Sequence, residues 1–142
     1  MLVLVLVLVF VRVRVRDTRN PARRPTDTRR MLDHERLDVY RCALQFAAIA
    51  FEMLEKMPRG HAELADQLRR ATISIPLNIA EGAGKPAEKD RSRYHAIARG
   101  SAMECGAIVD LLRMQALVEP AHANQAKTLL VRLVAMLTKM CM

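Results

Sequence analysis

The chain has 142 residues, 51% of them hydrophobic and 4% aromatic, which leaves room for one domain around one hydrophobic core. Its formal net charge of +8 is unevenly placed: residues 1–30 hold eight arginines against Asp17 and Asp27, and the remainder holds 15 basic and 13 acidic residues. Cys42, Cys105 and Cys141 are widely spaced, as are His34, His61, His95 and His122, which argues against a disulfide framework, a metal site or a cofactor ligand set and points to a reducing cytoplasm.

Residues 1–16, MLVLVLVLVFVRVRVR, are a dipeptide repeat, followed by an arginine-rich, proline-containing stretch to Arg30. The apolar run Leu2 to Val11 is about half as long as a membrane-crossing helix requires. It lacks the basic residues before it and the small-residue cleavage site after it that mark a secretory signal, so no membrane role is expected. Three readings remain: a translated low-complexity repeat upstream of a true start at Met31, a basic arm for nucleic acid or a membrane surface, or an aggregation-prone β segment. Composition favours the first, and residues 1–30 are expected to be a disordered or irregular N-terminal extension to a domain spanning 31–142.

From Leu37 the apolar spacing is helical. Leu37, Tyr40, Leu44, Ala47, Phe51 and Leu54 form one seam; Val39, Ala43, Phe46, Ala50, Met53 and Met57 form a second beside it. A helix with two apolar faces needs two partners, one inside its own bundle and one beyond it or across a wide core. Pro58 to Gly60 end this helix. A second runs from about Ala62 to Ala83 with Leu64, Leu68, Ala71, Ile75, Ile79 and Gly82 on one side, and Pro76 inside it is expected to bend it near Thr72 to Ile75, with Thr72 and Ser74 free to cap the released carbonyls. A third runs from Glu88 to about Leu117 through Tyr94, Ile97, Ser101, Cys105, Ile108 and Leu112, with Gly100 marking a close backbone approach. The fourth, Ala121 to about Met140, buries Ala126, Leu130, Leu133, Leu137 and Met140. Four helices with short connections predict an all-α, antiparallel up-down-up-down bundle.

Two sets of residues are candidates for chemistry. Asn78, Glu81, Ser101 and Glu104 lie beside the apolar stripes of the second and third helices, each pair three residues apart. A hydrogen-bonded network that sets helix register, with Arg69, Arg70 or Arg99 as counter-charge, is favoured over a carboxylate acid/base or metal site, because no nucleophile or ligand signature accompanies them and no enzyme is expected. Arg69, Arg70, Lys85, Lys89, Arg91, Arg93 and Arg99 gather around the turn between these helices and could bind phosphates by charge, although Glu81, Glu88 and Asp90 interleave with them. The GAGK run, Gly82 to Lys85, lacks the preceding strand and the length of a phosphate loop and reads as a turn.

The residues Arg70, Ser74, Ile75, Pro76, Asn78, Ile79, Ala80, Glu81 and Gly82, then Arg93, Tyr94, Ala98, Gly100, Ser101 and Glu104, and the opening Leu37, Val39, Tyr40 and Ala43, resemble one family without gaps. It is that of the four-helix bundle proteins encoded in intervening sequences of bacterial 23S rRNA genes, sometimes labelled S23 ribosomal proteins. The resemblance covers about Leu37 to Leu137. It implies an antiparallel bundle assembling as a homopentamer, without catalytic residues, cofactor or small-molecule substrate. The chain is also similar to the accessory variability determinant of diversity-generating retroelements, which implies a partner such as RNA or a reverse transcriptase-like protein. The alternative is a protein-protein interaction module with no nucleic-acid binding, which the near-balanced charge of residues 31–142 suits.

Overall fold

The structure, a computed structural model, describes residues 31–142. The readings of residues 1–30 as repeat, basic arm or β segment lie outside the described residues. Among the described residues there are four α-helices and no strand: α1 (Asp38–Lys56), α2 (Ala62–Ala83), α3 (Glu88–Met114) and α4 (Pro120–Met140), preceded by a single 3-10 turn, Asp33–Arg36. The Leu32 N–H donates to Glu35 Oε2 at 2.7 Å and fixes that turn, and Leu37 in extended backbone then opens α1. At the far end of α1, Gly60 takes φ +98°, a left-handed conformation that a side chain would strain.

α3 stops three residues short of the expected Leu117. Its end is a Schellman turn, in which Leu117 N–H donates to Leu112 O at 2.9 Å and Ala116 N–H to Arg113 O at 3.0 Å. The left-handed position that usually takes glycine is held by Ala116 at φ +53°. With no glycine there, the sequence carries no sign of the stop. α4 begins at Pro120, whose missing N–H costs nothing at the first helical position.

Each helix packs on its two neighbours in the order α1, α2, α3, α4 and back to α1, which is the expected four-helix bundle, and the α2–α3 pairing is the most extensive. The core joins Phe46, Leu68, Ile75, Ile79, Leu112, Leu133 and Leu137 with an unusual share of small residues, including Ala43, Ala50, Ala71, Ala98, Ala102, Ala123 and Ala126. Of the two apolar series on α1, the one holding Val39, Ala43, Phe46, Ala50 and Met53 enters the core. From the other only Ala47 is buried; Phe51 and Leu54 are half-buried and Leu44 is exposed. The buried stripe of α3 also differs from expectation: His95, Ala98, Ala102, Cys105, Ile108, Val109 and Leu112 face inward, whereas Ile97 is 43% exposed and Tyr94 and Ser101 sit at the edge. Alanines occupy the line of closest helix contact, and the bulkier Ile97 is left on the flank.

α2 is helical through Pro76. Thr72 and Ser74 do not serve as caps for released carbonyls; their hydroxyls face Cys105 and Ser101 of α3, and Asn78 Nδ2 adds a donor to Ser74 O at 2.8 Å. The close approach expected at Gly100 lies elsewhere. Nothing comes within 4 Å of where its Cβ would stand, whereas a Cβ on Gly82 would meet His95 Nε2 at 3.0 Å and Tyr94 Cβ at 3.2 Å.

The two glycines therefore respond to alanine with opposite signs. Gly82→Ala overpacks against a buried ring and is expected to lower stability by roughly 1–3 kcal/mol. Gly100→Ala gains helix propensity in open space and is expected to raise the stability of the single chain by about 0.5–1 kcal/mol. Urea unfolding of both variants at one protein concentration measures the contrast.

Candidate functional site

The sequence-predicted polar residues fall into three separate clusters along the α2–α3 seam. In the middle, Ser74 Oγ and Ser101 Oγ are 2.8 Å apart and Asn78 Nδ2 donates to Ser74 Oγ at 3.0 Å, so Asn78 and Ser101 are joined through a serine that sequence reasoning assigned to another role. One end of the seam holds Glu104, which accepts from Gln67 Nε2, while Gln67 Oε1 accepts from Arg70. At the other end Glu81 leaves the network and pairs with Lys85 at 2.7 Å, four residues along the chain. Hydroxyl and amide groups that meet across two helices fix their register, since a slide of one residue would leave half-buried donors unpaired.

The seven cations are not one uniform patch. Arg69 pairs with Asp66 at 3.0 Å. Lys85, held by Glu81, lies 5.2 Å over the Tyr94 ring, and the Glu81 carboxylate keeps its ammonium above the ordinary lysine value. Arg91 donates to the carbonyls of Lys85 and Pro86 at 3.2 Å and 2.8 Å and so closes the α2–α3 turn. The GAGK run is the end of α2 and this turn, as its composition suggested. Lys89, Arg93 and Arg99 make no ion pair among the described residues. Lys89 and Arg93 are one turn apart on the outer face of α3, and Arg99 falls roughly a third of a turn away by helical spacing. Around them Ile73, Leu77, Ile97 and Met103 stand 41%, 63%, 43% and 61% exposed on α2 and α3.

Two buried features stand out, of which the sequence reading placed Cys105 on an apolar stripe and missed His95. His95 is 5% exposed, and among the described residues neither ring nitrogen has a hydrogen-bond partner. It lines a cleft of about 380 Å³ with Asp33, Leu37, Ala83, Glu88, Arg91 and Met140 at the α2–α3 end of the bundle. The Gly82 motif position was the available signal, because a glycine at a helix interface leaves room for a large neighbour. The second feature is Cys105, whose thiol is pushed up to about 12 by burial, with the Thr72 hydroxyl 3.8 Å away acting the other way. Cys42 is also pushed up by burial, against the field of Arg132.

Among the described residues no group of three or more His, Cys, Asp or Glu side chains is placed to hold a metal ion, and no helix is long and apolar enough to cross a membrane. Fold and seam together define a four-helix bundle protein with a polar seam between two helices and exposed apolar side chains on the same helices. The family described as 23S rRNA-intervening sequence protein matches residues 35–139, most of the chain, and the chain belongs to that family. A comparison with curated proteins finds no match.

A double-mutant cycle on Ser74→Ala and Ser101→Ala is expected to give a coupling of about 1 kcal/mol in urea unfolding, the size of one net hydrogen bond. Thiol chemistry tests the interior independently. With iodoacetamide at pH 8, Cys105 and Cys42 of the folded protein are expected to react at least about a hundredfold more slowly than in urea, while half-buried Cys141 reacts first. Mass mapping of the alkylated peptides reads the order.

Proposed function

We propose that this protein is a non-enzymatic helical module that assembles with copies of itself and binds RNA or a ribonucleoprotein partner connected with rRNA intervening sequences. Membership of the 23S rRNA-intervening sequence protein family supports the association with rRNA. The observation that carries the binding reading is the set of cations on α3, Lys89, Arg93 and Arg99, left without carboxylate partners while Arg69 and Lys85 are neutralised and Arg91 is spent on its own turn. Cations free of ion pairs are the ones able to displace counterions from a phosphate backbone. Among the described residues α3 offers no aromatic platform for base stacking except Tyr94, which already lies under Lys85, so phosphate contact rather than base recognition is the mode proposed.

Assembly is supported by the uncovered apolar side chains Leu44, Ile73, Leu77, Ile97 and Met103, and by Gly100, exposed in mid-helix with open space around it. A glycine that makes no close contact inside its own chain lets another backbone approach. A homopentamer is the closed assembly proposed, in the cytoplasm, with a reverse transcriptase-like protein as one form of partner. The near-balanced charge of residues 31–142 favours a second reading, a protein-protein interaction module with no nucleic-acid binding.

Binding of RNA by the full chain and by a chain beginning at Met31 across a salt series separates the two. In the first reading the logarithm of the affinity falls linearly with the logarithm of salt. Replacing Lys89, Arg93 and Arg99 with alanine then makes the slope shallower by about 0.7 for each single-strand phosphate that is no longer neutralised. Salt-independent behaviour of the shorter chain would leave the protein-interaction reading. Light scattering on Leu77→Asp and Ile97→Asp variants tests assembly, with a fall to the mass of one chain expected.

A further inference from the structure

The end of the bundle remote from the α2–α3 turn carries a second cleft, of about 610 Å³, where the end of α1 meets the α3–α4 connection. Its walls are mainly apolar, from Met53, Pro58, Leu117, Val118 and Pro120, with the side chains of Lys56, Arg113, Glu119 and His122 at its margin. A mostly apolar cavity of a few hundred Å³ with a few convergent polar groups is the usual form of a small-molecule site.

The charges around it are unequally satisfied. Glu52 Oε1 is held by Lys56 Nζ at 2.9 Å and lies 3.3 Å from His122 Nε2, and Glu119 Oε2 lies 3.4 Å from His122 Nδ1. The Lys56 hydrogen bond, then the Lys56 and His122 charges, keep the Glu52 carboxyl below its ordinary value despite some desolvation. The imidazole lies between these two acids, while Arg113 makes no ion pair among the described residues. Arg113 is also the residue whose carbonyl closes the Schellman turn at Ala116, so the left-handed alanine fixes where its helix ends against the cleft. α4 opens at the same wall without a side-chain cap.

We propose that this cleft is a binding site for a small amphipathic anion, whose carboxylate or phosphate head is taken by the Arg113 guanidinium and whose apolar body lies against Met53, Leu117 and Val118. An unpaired guanidinium beside an apolar wall favours such a head over a neutral one, because a charge-assisted bond to an anion is stronger than a bond to a neutral acceptor. The site is separate from the α2–α3 seam and does not depend on the RNA reading.

The test is a titration of the full chain with octanoate, octyl phosphate, octanol and inorganic phosphate, followed by amide NMR and calorimetry. The expected result is that octanoate or octyl phosphate shifts the amides of residues 53–56 and 113–122, that octanol binds about tenfold more weakly or less, and that Arg113→Gln loses about tenfold in affinity at unchanged melting temperature while Arg113→Lys keeps most of it. Saturation by octanoate alone or octyl phosphate alone tells a carboxylate ligand from a phosphate ligand. No shifts at these amides at millimolar ligand, octanol binding as tightly as octanoate, or an Arg113→Gln variant that binds like the parent would each overturn the proposal.

Discussion

The distance between α2 and α3 is the constraint on which the other features rest. A cylinder of backbone can come close to another only where side chains are small, and along this seam Gly82, Ala71, Ala98 and Ala102 are buried. The absence of a Cβ at Gly82 makes room for the His95 ring, whose Nε2 would stand 3.0 Å from that Cβ. Close approach also brings the short hydroxyl side chains of Ser74 and Ser101 to 2.8 Å of each other, a distance that a wider helix pair would leave for water. Ile97 and Leu77 lie outside this seam and stay exposed, while Ile75, Ile79 and Ile108 of the same two helices are buried.

Electrostatics follow from the same geometry. The turn joining α2 to α3 must reverse the chain between closely spaced helices, and it does so with its own cations: Arg91 binds two loop carbonyls, and Lys85 is fixed between Glu81 and the Tyr94 ring. Such surface pairs add little stability individually. Their effect is to remove charge from the surface that composition suggests, leaving Lys89, Arg93 and Arg99 of α3 without ion pairs among the described residues. At the opposite end Lys127 joins Asp110 at 2.9 Å across α3 and α4, and His122 sits between two carboxylates, while Arg113 makes no ion pair among the described residues.

The number and order of the helices were legible because apolar spacing and the breaks at Pro58 to Gly60 and Gly82 to Pro86 follow local rules. α2 was legible to the residue for that reason. Three features were not. The end of α3 depends on Ala116 adopting a conformation that the sequence marks only when glycine is present. Which of the two α1 seams enters the core depends on the helices opposite, and the pattern of α1 alone treats them as equals. The stripe of α3 was misplaced at Ile97, which is exposed although Ile108, about 20° from it around the helix, is buried, so position along the bundle decides and residue type does not. Asn78 and Ser101 are joined through Ser74, and Glu104 is held by Gln67, two residues that periodicity does not distinguish from ordinary surface residues.

Several positions break a local rule, and they differ in whether the chain compensates. Ala116 in left-handed backbone is offset by the two Schellman hydrogen bonds it completes. Pro76 lacks a backbone donor within α2, yet the helix continues, flanked by Ile75 and Ile79 in full burial. Gly100 and the exposed Ile73, Leu77 and Met103 have no compensation of this kind inside one chain: the glycine weakens the helix without admitting a neighbour, and the apolar side chains stay in water. Local cost without local return is the pattern expected where a surface is shaped for contact with another molecule. Ile73 and Leu77 are carried by α2 on either side of Ser74 in the sequence, so a partner that covers them meets a helix whose register against α3 is held by the Ser74–Ser101 contact.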